Sequence, residues 1–121
     1  MSTVLDDKLG ILKISDEVIA RYVTKATLFI EGISALSGGL TDSLSKNILG
    51  KELPHKGVKI AQSEEGIVID IYVIVNYGFK IPQVAWDIQE SVKKEVELMT
   101  ESTVKAVNIH VQGVDFSNEG E

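Results

Sequence analysis

The chain of 121 residues carries 44% hydrophobic and 25% charged residues, an ordinary globular composition that suits one compact core and argues against wholesale disorder. Lys and Arg number 12 against 18 Asp and Glu, and the resulting net charge of −6 repels phosphate backbones at long range, so nucleic acid is not an expected partner. Cysteine is absent, which excludes disulfides, thiol catalysis and thiolate metal sites.

The opening Met1-Ser2-Thr3-Val4-Leu5-Asp6-Asp7-Lys8 has acids where a secretory signal needs basic residues and an apolar stretch. The longest apolar run, Ile71 to Val75, is far shorter than the roughly 20 residues that span a bilayer. A cytoplasmic protein with no direct membrane insertion is expected. Residues 1–9 read as a flexible tail, and Gly10 to Ile14 as a short strand. Ser15 is placed to cap a helix whose first turn holds Asp16 and Glu17 and which runs toward Gly32. Val18, Ile19, Tyr22, Val23, Ala26, Phe29 and Ile30 recur at helical spacing and predict the face laid on a sheet.

Ile33 to Ser37 reads as a second strand closed by Gly38-Gly39. The long connection to Gly57 carries Leu40, Leu44 and Ile48 at four-residue spacing, which predicts a short helix near 42–49. Its leucines either tuck under the core or dock on a partner, so Leu44 is a candidate contact residue. Val58 to Gln62, a turn at Glu64-Glu65, and Ile67 to Tyr77 read as a hairpin. The odd positions of its second strand, Ile67 through Tyr77, are wholly apolar and predict the face met by the helices. The even positions Val68, Asp70, Tyr72, Ile74 and Asn76 are mixed, which makes Tyr72 and Ile74 candidates for contact with another molecule.

Gly78 turns the chain, and Pro82 suits the first position of a second long helix reaching about Thr100. Ile81, Ala85, Ile88, Val92, Val96 and Met99 form its predicted buried stripe, while Trp86 falls to one side as a further candidate contact. Val104 to Val111 alternates as a last strand, with Val107, Ile109 and Val111 inward and Asn108, His110 and Gln112 outward, before a tail at 117–121. The expected architecture is α+β: a mixed sheet of four to five strands, two long helices on one face, and the short helix in the connection.

Candidates for chemistry are sparse. Glu64-Glu65 lies in a turn where solvated acids are normal, and His55 and His110 share no ligand spacing with an acid. No Gly-x-Ser-x-Gly elbow, phosphate loop or RNA-binding clamp occurs. No catalytic, cofactor-binding or metal-ligating residue is assigned.

The run from Val68 to Lys93, and within it Tyr77-Gly78-x-x-Ile81-Pro82-x-Val84-Ala85 followed by Gln89, resembles the alkaline shock protein family of Gram-positive envelope stress proteins. The likeness extends to Ile14-Ser15-x-x-Val18-Ile19, to Lys56-Gly57-Val58 and to Val107 through Val114, so residues 10–116 are expected to form the family domain. Tyr77, Gly78, Pro82 and Gly113 are read as architectural within it. The chain departs from the family at Thr100-Glu101-Ser102-Thr103, where a Thr-Gly turn is common. The resemblance implies a non-catalytic scaffold in envelope stress homeostasis that self-associates and reaches the membrane through an anchored partner. The alternative is an accessory or regulatory protein for an enzyme of lipid or envelope metabolism.

Overall fold

The longest apolar alternation in the sequence becomes the central strand. The computed structural model describes residues 3–7, 9–38 and 57–117. Strand β5, Gly66–Asn76, buries Ile67, Ile69, Ile71, Val73 and Val75 on one face and half-exposes the residues between them. Strand β4, Val58–Ser63, forms an antiparallel hairpin with it, from Ser63 opposite Gly66 to Val58 opposite Ile71. Strand β3, Ile33–Leu36, pairs antiparallel farther along, with Leu36 opposite Val73. Strand β6, Val104–Asp115, runs parallel to β5 from Ile67 to Asn76. Because β6 overlaps the pairing ranges of both β3 and β4, those two share the opposite side of β5, end to end. Both main-chain groups of Tyr72 mark the junction: its N–H donates to Gly57 O and its carbonyl accepts from Ser37 N–H, each at 2.8 Å.

Helix α1, Asp16–Leu28, begins at the Ser15 cap, whose hydroxyl accepts from Val18 N–H at 3.2 Å. Helix α2, Ile81–Thr100, is the crossover that a parallel β5–β6 pair requires. Ile19, Ala20 and Val23 of α1 and Val84, Ile88, Val92 and Val96 of α2 form one core with the odd face of β5. Full burial of each valine or isoleucine among them contributes about 1.5–3 kcal/mol. Two buried threonines, Thr27 and Thr100, satisfy their hydroxyls by donating to the carbonyls of Val23 and Val96 one helical turn back. The fold is therefore α+β, with a four-stranded mixed sheet and, among the described residues, two helices packed on the β5 face that the odd residues line.

The structure departs from several sequence expectations. Thr3–Asp7, read as a loose tail, is a strand, β1, paired antiparallel with β2, Gly10–Ile14, in a separate two-stranded sheet. Helix α1 ends at Leu28, before the apolar periodicity does. Two tight turns follow, Ile30 N–H to Thr27 O and Ile33 N–H to Ile30 O, so Ile30 packs on the core from a turn while Phe29 is 79% exposed. Val18 and Tyr22 lie on the exposed flank of α1. Ile81 is exposed at the start of α2, and Pro82 is its second residue. Tyr77 lies past the end of β5, exposed and 4.9 Å from the ring of Phe116, and so does not continue the buried face. Strand β6 continues past Val111 to Asp115 through an irregularity opposite Val73 and Ile74. The helix expected near 42–49, with Leu44, lies outside the described residues.

Candidate interaction surface

With both described helices on one face, the other face of the sheet shows the even residues of β5 and their partners in β6. Register sets their rows: Asp70 beside Asn108, Tyr72 beside His110, Ile74 beside Gly113, Asn76 beside Asp115. These rows are cross-linked. His110 Nε2 lies 2.9 Å from Asp70 Oδ1, which also accepts from Asn108 Nδ2 at 3.2 Å. The His110 ring stacks on Tyr72 with centroids 4.4 Å apart and an interplanar angle of 12°. The His110 hydrogen bond holds the Asp70 carboxyl below the usual carboxylate range, helped by Asn108 and the positive charge of Lys59 and opposed by partial burial.

Farther along the face, Ser34 donates its hydroxyl to Asp115 Oδ2 across the end of β5, and Ser117 N–H donates to Oδ1. The Ser34 hydroxyl, followed by the Ser117 donors, lowers the Asp115 carboxyl to about 2. Between the two clusters Ile74 lies over Gly113, where an added Cβ would stand 3.3 Å from Ile74 Cδ1. Gly113 thus provides the room that lets Ile74 lie down on the face.

The predicted contact residues divide between two layers. Tyr72 and Ile74 are half-buried on the open sheet face, whereas Trp86 is 56% exposed on α2, in the layer on the other side of the sheet. They do not form one patch. Trp86 shares a flank of α2 with Gln89, Lys93 and Glu97, and these three reach β6. Gln89 Nε2 donates to Val107 O at 2.9 Å, Lys93 Nζ to Val104 O at 3.2 Å, and Val104 N–H to Glu97 Oε2 at 2.9 Å. The Val104 amide, and after it Lys93, lowers the Glu97 carboxyl.

The arrangement offers little for catalysis. His110 is paired with a carboxylate, but among the described residues no hydroxyl is hydrogen-bonded to it, and the pair lies on a sheet face. No group of three or more metal-ligating side chains converges among the described residues. A depression of about 430 Å³ on α2 is lined only by that helix's own Glu90, Lys93, Lys94, Glu97 and Leu98. No helix among the described residues is long and apolar enough to cross a membrane. Sequence reading missed the Asp70–His110 pair, because two outward positions forty residues apart become neighbours only once β5 and β6 are known to pair in parallel.

The family model of the alkaline shock proteins, described as having a cell envelope-related function, matches residues 4–116. The chain belongs to the alkaline shock protein family. It is 41% identical over 120 residues to YloU of Bacillus subtilis (strain 168), covering 98% of this chain and 99% of that one. It is 31% identical over 116 residues to YqhY of the same organism, covering 96% and 85%. A stress response regulator gls24 homolog of Streptococcus pyogenes serotype M3 is 25% identical over 112 residues, covering 93% of this chain and 63% of that one. Membership accounts for a role related to envelope stress. Among solved structures, the copper form of the MamM CTD superposes with a TM-score of 0.50 at 11% identity, covering 88% of this chain and 93% of that one, a likeness of fold alone.

Proposed function

We propose that this alkaline shock family protein is a non-catalytic interaction scaffold in cell-envelope stress homeostasis, which self-associates and is held near the membrane by a partner. The observation that carries this reading is the open sheet face. Its polar groups are already committed to one another, Asp70 with His110 and Asn108, and Ser34 with Asp115, around the half-buried apolar Tyr72 and Ile74. Groups tied up in this way are poorly disposed to move protons on a substrate. A sheet face with half-buried Tyr72 and Ile74 between hydrogen-bonded polar groups suits a protein partner.

The test is a pull-down of the full chain from the native membrane fraction, beside flotation of the pure protein with protein-free anionic liposomes. The reading expects capture of a membrane-anchored protein and no flotation. Tight liposome binding by the pure protein overturns recruitment through a partner, and a monomer bound to one enzyme in fixed ratio replaces the scaffold with an accessory subunit.

A further inference from the structure

We infer that the end of β6 from Gly113 to Ser117 is a strap that opens as one piece, hinged at Gln112 and latched by Asp115, while the rest of the sheet and its core stay folded. This opening requires neither self-association nor a partner. Strand β6 is anchored in two different ways along its length. In its first part Val104 and Val107 are buried and Ile109 packs on the core. Helix α2 grips the same part, Glu97 and Lys93 holding both main-chain groups of Val104 and Gln89 the Val107 carbonyl, and His110 is tied to Asp70. Past Gln112 the strand adds nothing to the core cluster: Gly113 has no side chain, and Val114 is 37% exposed.

The two parts meet at a break in register. Val73 lies opposite Val111 and Ile74 opposite Gly113, so Gln112 is an extra residue that interrupts the ladder. Its side chain takes only a long, exposed hydrogen bond, from the Ser37 hydroxyl at 3.3 Å. On the other side of β5, β3 carries its own extra residue beside the same Ile74. Ile33 lies opposite Val75 and Ala35 opposite Ile74, with Ser34 between them. A bulge re-aims the side chain it carries, and the Ser34 hydroxyl points across β5 to Asp115.

Asp115 gathers the contacts that hold the strap down. Its carbonyl accepts from Tyr77 N–H at 2.9 Å, its carboxylate accepts from the Ser34 hydroxyl and from Ser117 N–H, and the neighbouring Phe116 ring lies 4.9 Å from that of Tyr77. A fraying strand loosens from its last residue inward. Here the last residues are the most tied and the thin place is internal, so the contacts of Asp115 break together and the strap leaves as a unit. Opening takes β6 off β5 from Ile74 to Asn76 and leaves Val104, Val107 and Ile109 in place.

The experiment is native-state amide hydrogen exchange of the full chain, read residue by residue by NMR at low denaturant concentrations, each rate divided by that of the unstructured chain. Tyr77 N–H, which donates to Asp115 O, reports the strap, and the amides of Val92 and Val96 on the buried stripe of α2 report global unfolding. The expected result is that Tyr77 and the ladder amides of Gly113–Asp115 share one opening, more frequent and less denaturant-dependent than that of α2. Asp115→Ala should speed Tyr77 exchange about three-fold or more, the scale of a lost hydrogen bond. Ile88→Val, a mild change in the core, should speed Val92 and Val96 exchange about two-fold or more and leave Tyr77 unchanged, because Ile88 stays packed when the strap opens. If Ile88→Val speeds Tyr77 as much as Val92, the strap opens only with the whole protein and the inference fails. Tyr77 exchange unaffected by Asp115→Ala overturns the latch, and protection that rises step by step from Asp115 inward is fraying and overturns the single unit.

Discussion

Asp70 Oδ1 and His110 Nε2 meet at 2.9 Å across the parallel pairing of β5 and β6, joining two strands that α2 separates in sequence. A row of such links, with Tyr72 stacked on His110 and Ser34 bonded to Asp115, cross-links the sheet face opposite the described helices. Among the described residues no helix covers this face, and these polar contacts tie its strands together.

The first prediction concerns acid. The folded-state Asp115 carboxyl is lowered from 3.8 to about 2, so its contribution to stability is present above the ordinary value and is lost as the pH falls from about 3.8 toward about 2. Asp70, lowered chiefly by its His110 hydrogen bond, acts in the same direction. Asp115→Asn should therefore lower stability near neutrality and flatten its decline across that acid window. Urea titrations at pH 5, 4, 3 and 2 check this, and an unchanged acid slope in the variant contradicts it.

Gly78 has φ +98° with nothing within 4 Å of an added Cβ, so any cost of substitution comes from the backbone and not from a clash. Gly78→Val should destabilise by about 1–3 kcal/mol, as side chains forced into this region do. Gly78→Ala should show much of the same loss. Pro82→Ala should cost about 0.4–1 kcal/mol, mainly by returning freedom to the unfolded chain. Denaturant midpoints compare the three variants.

Glu101 ends α2 in the left-handed region at φ 58°, with its N–H donating to Glu97 O. This is the turn where the sequence departs from a Thr-Gly pattern, and the chain makes the bend glycine favours without a glycine. Glu101→Gly should stabilise the protein by about 0.5–1 kcal/mol, because relief of the left-handed strain exceeds the added freedom of the unfolded chain. A melting temperature that stays level or falls would contradict that assignment of strain.

Sequence reading went furthest where a pattern is local. The odd-position alternation of Ile67 through Val75 and the stripe of Ile88, Val92 and Val96 specify their own buried faces, and both are buried as expected. It went astray at Tyr22 and Phe29, which continue a helical pattern on a flank that nothing among the described residues covers. Hydrophobic spacing says which residues share a side, not whether a neighbour arrives to bury them. Strand β1 is polar at Asp6 and Asp7 and carries no alternation strong enough to reveal that it pairs with β2. The candidate surface was half legible: Tyr72 and Ile74 stand on the open face as their even positions imply, but their separation from Trp86 depends on which side of the sheet α2 crosses.

Sedimentation equilibrium of the unmodified full chain, from micromolar to submillimolar concentration at physiological salt, tests the scaffold reading most directly. The account predicts an apparent mass that rises with concentration above the 13.2 kDa of one chain. A mass fixed at that of the single chain over the whole range would contradict it.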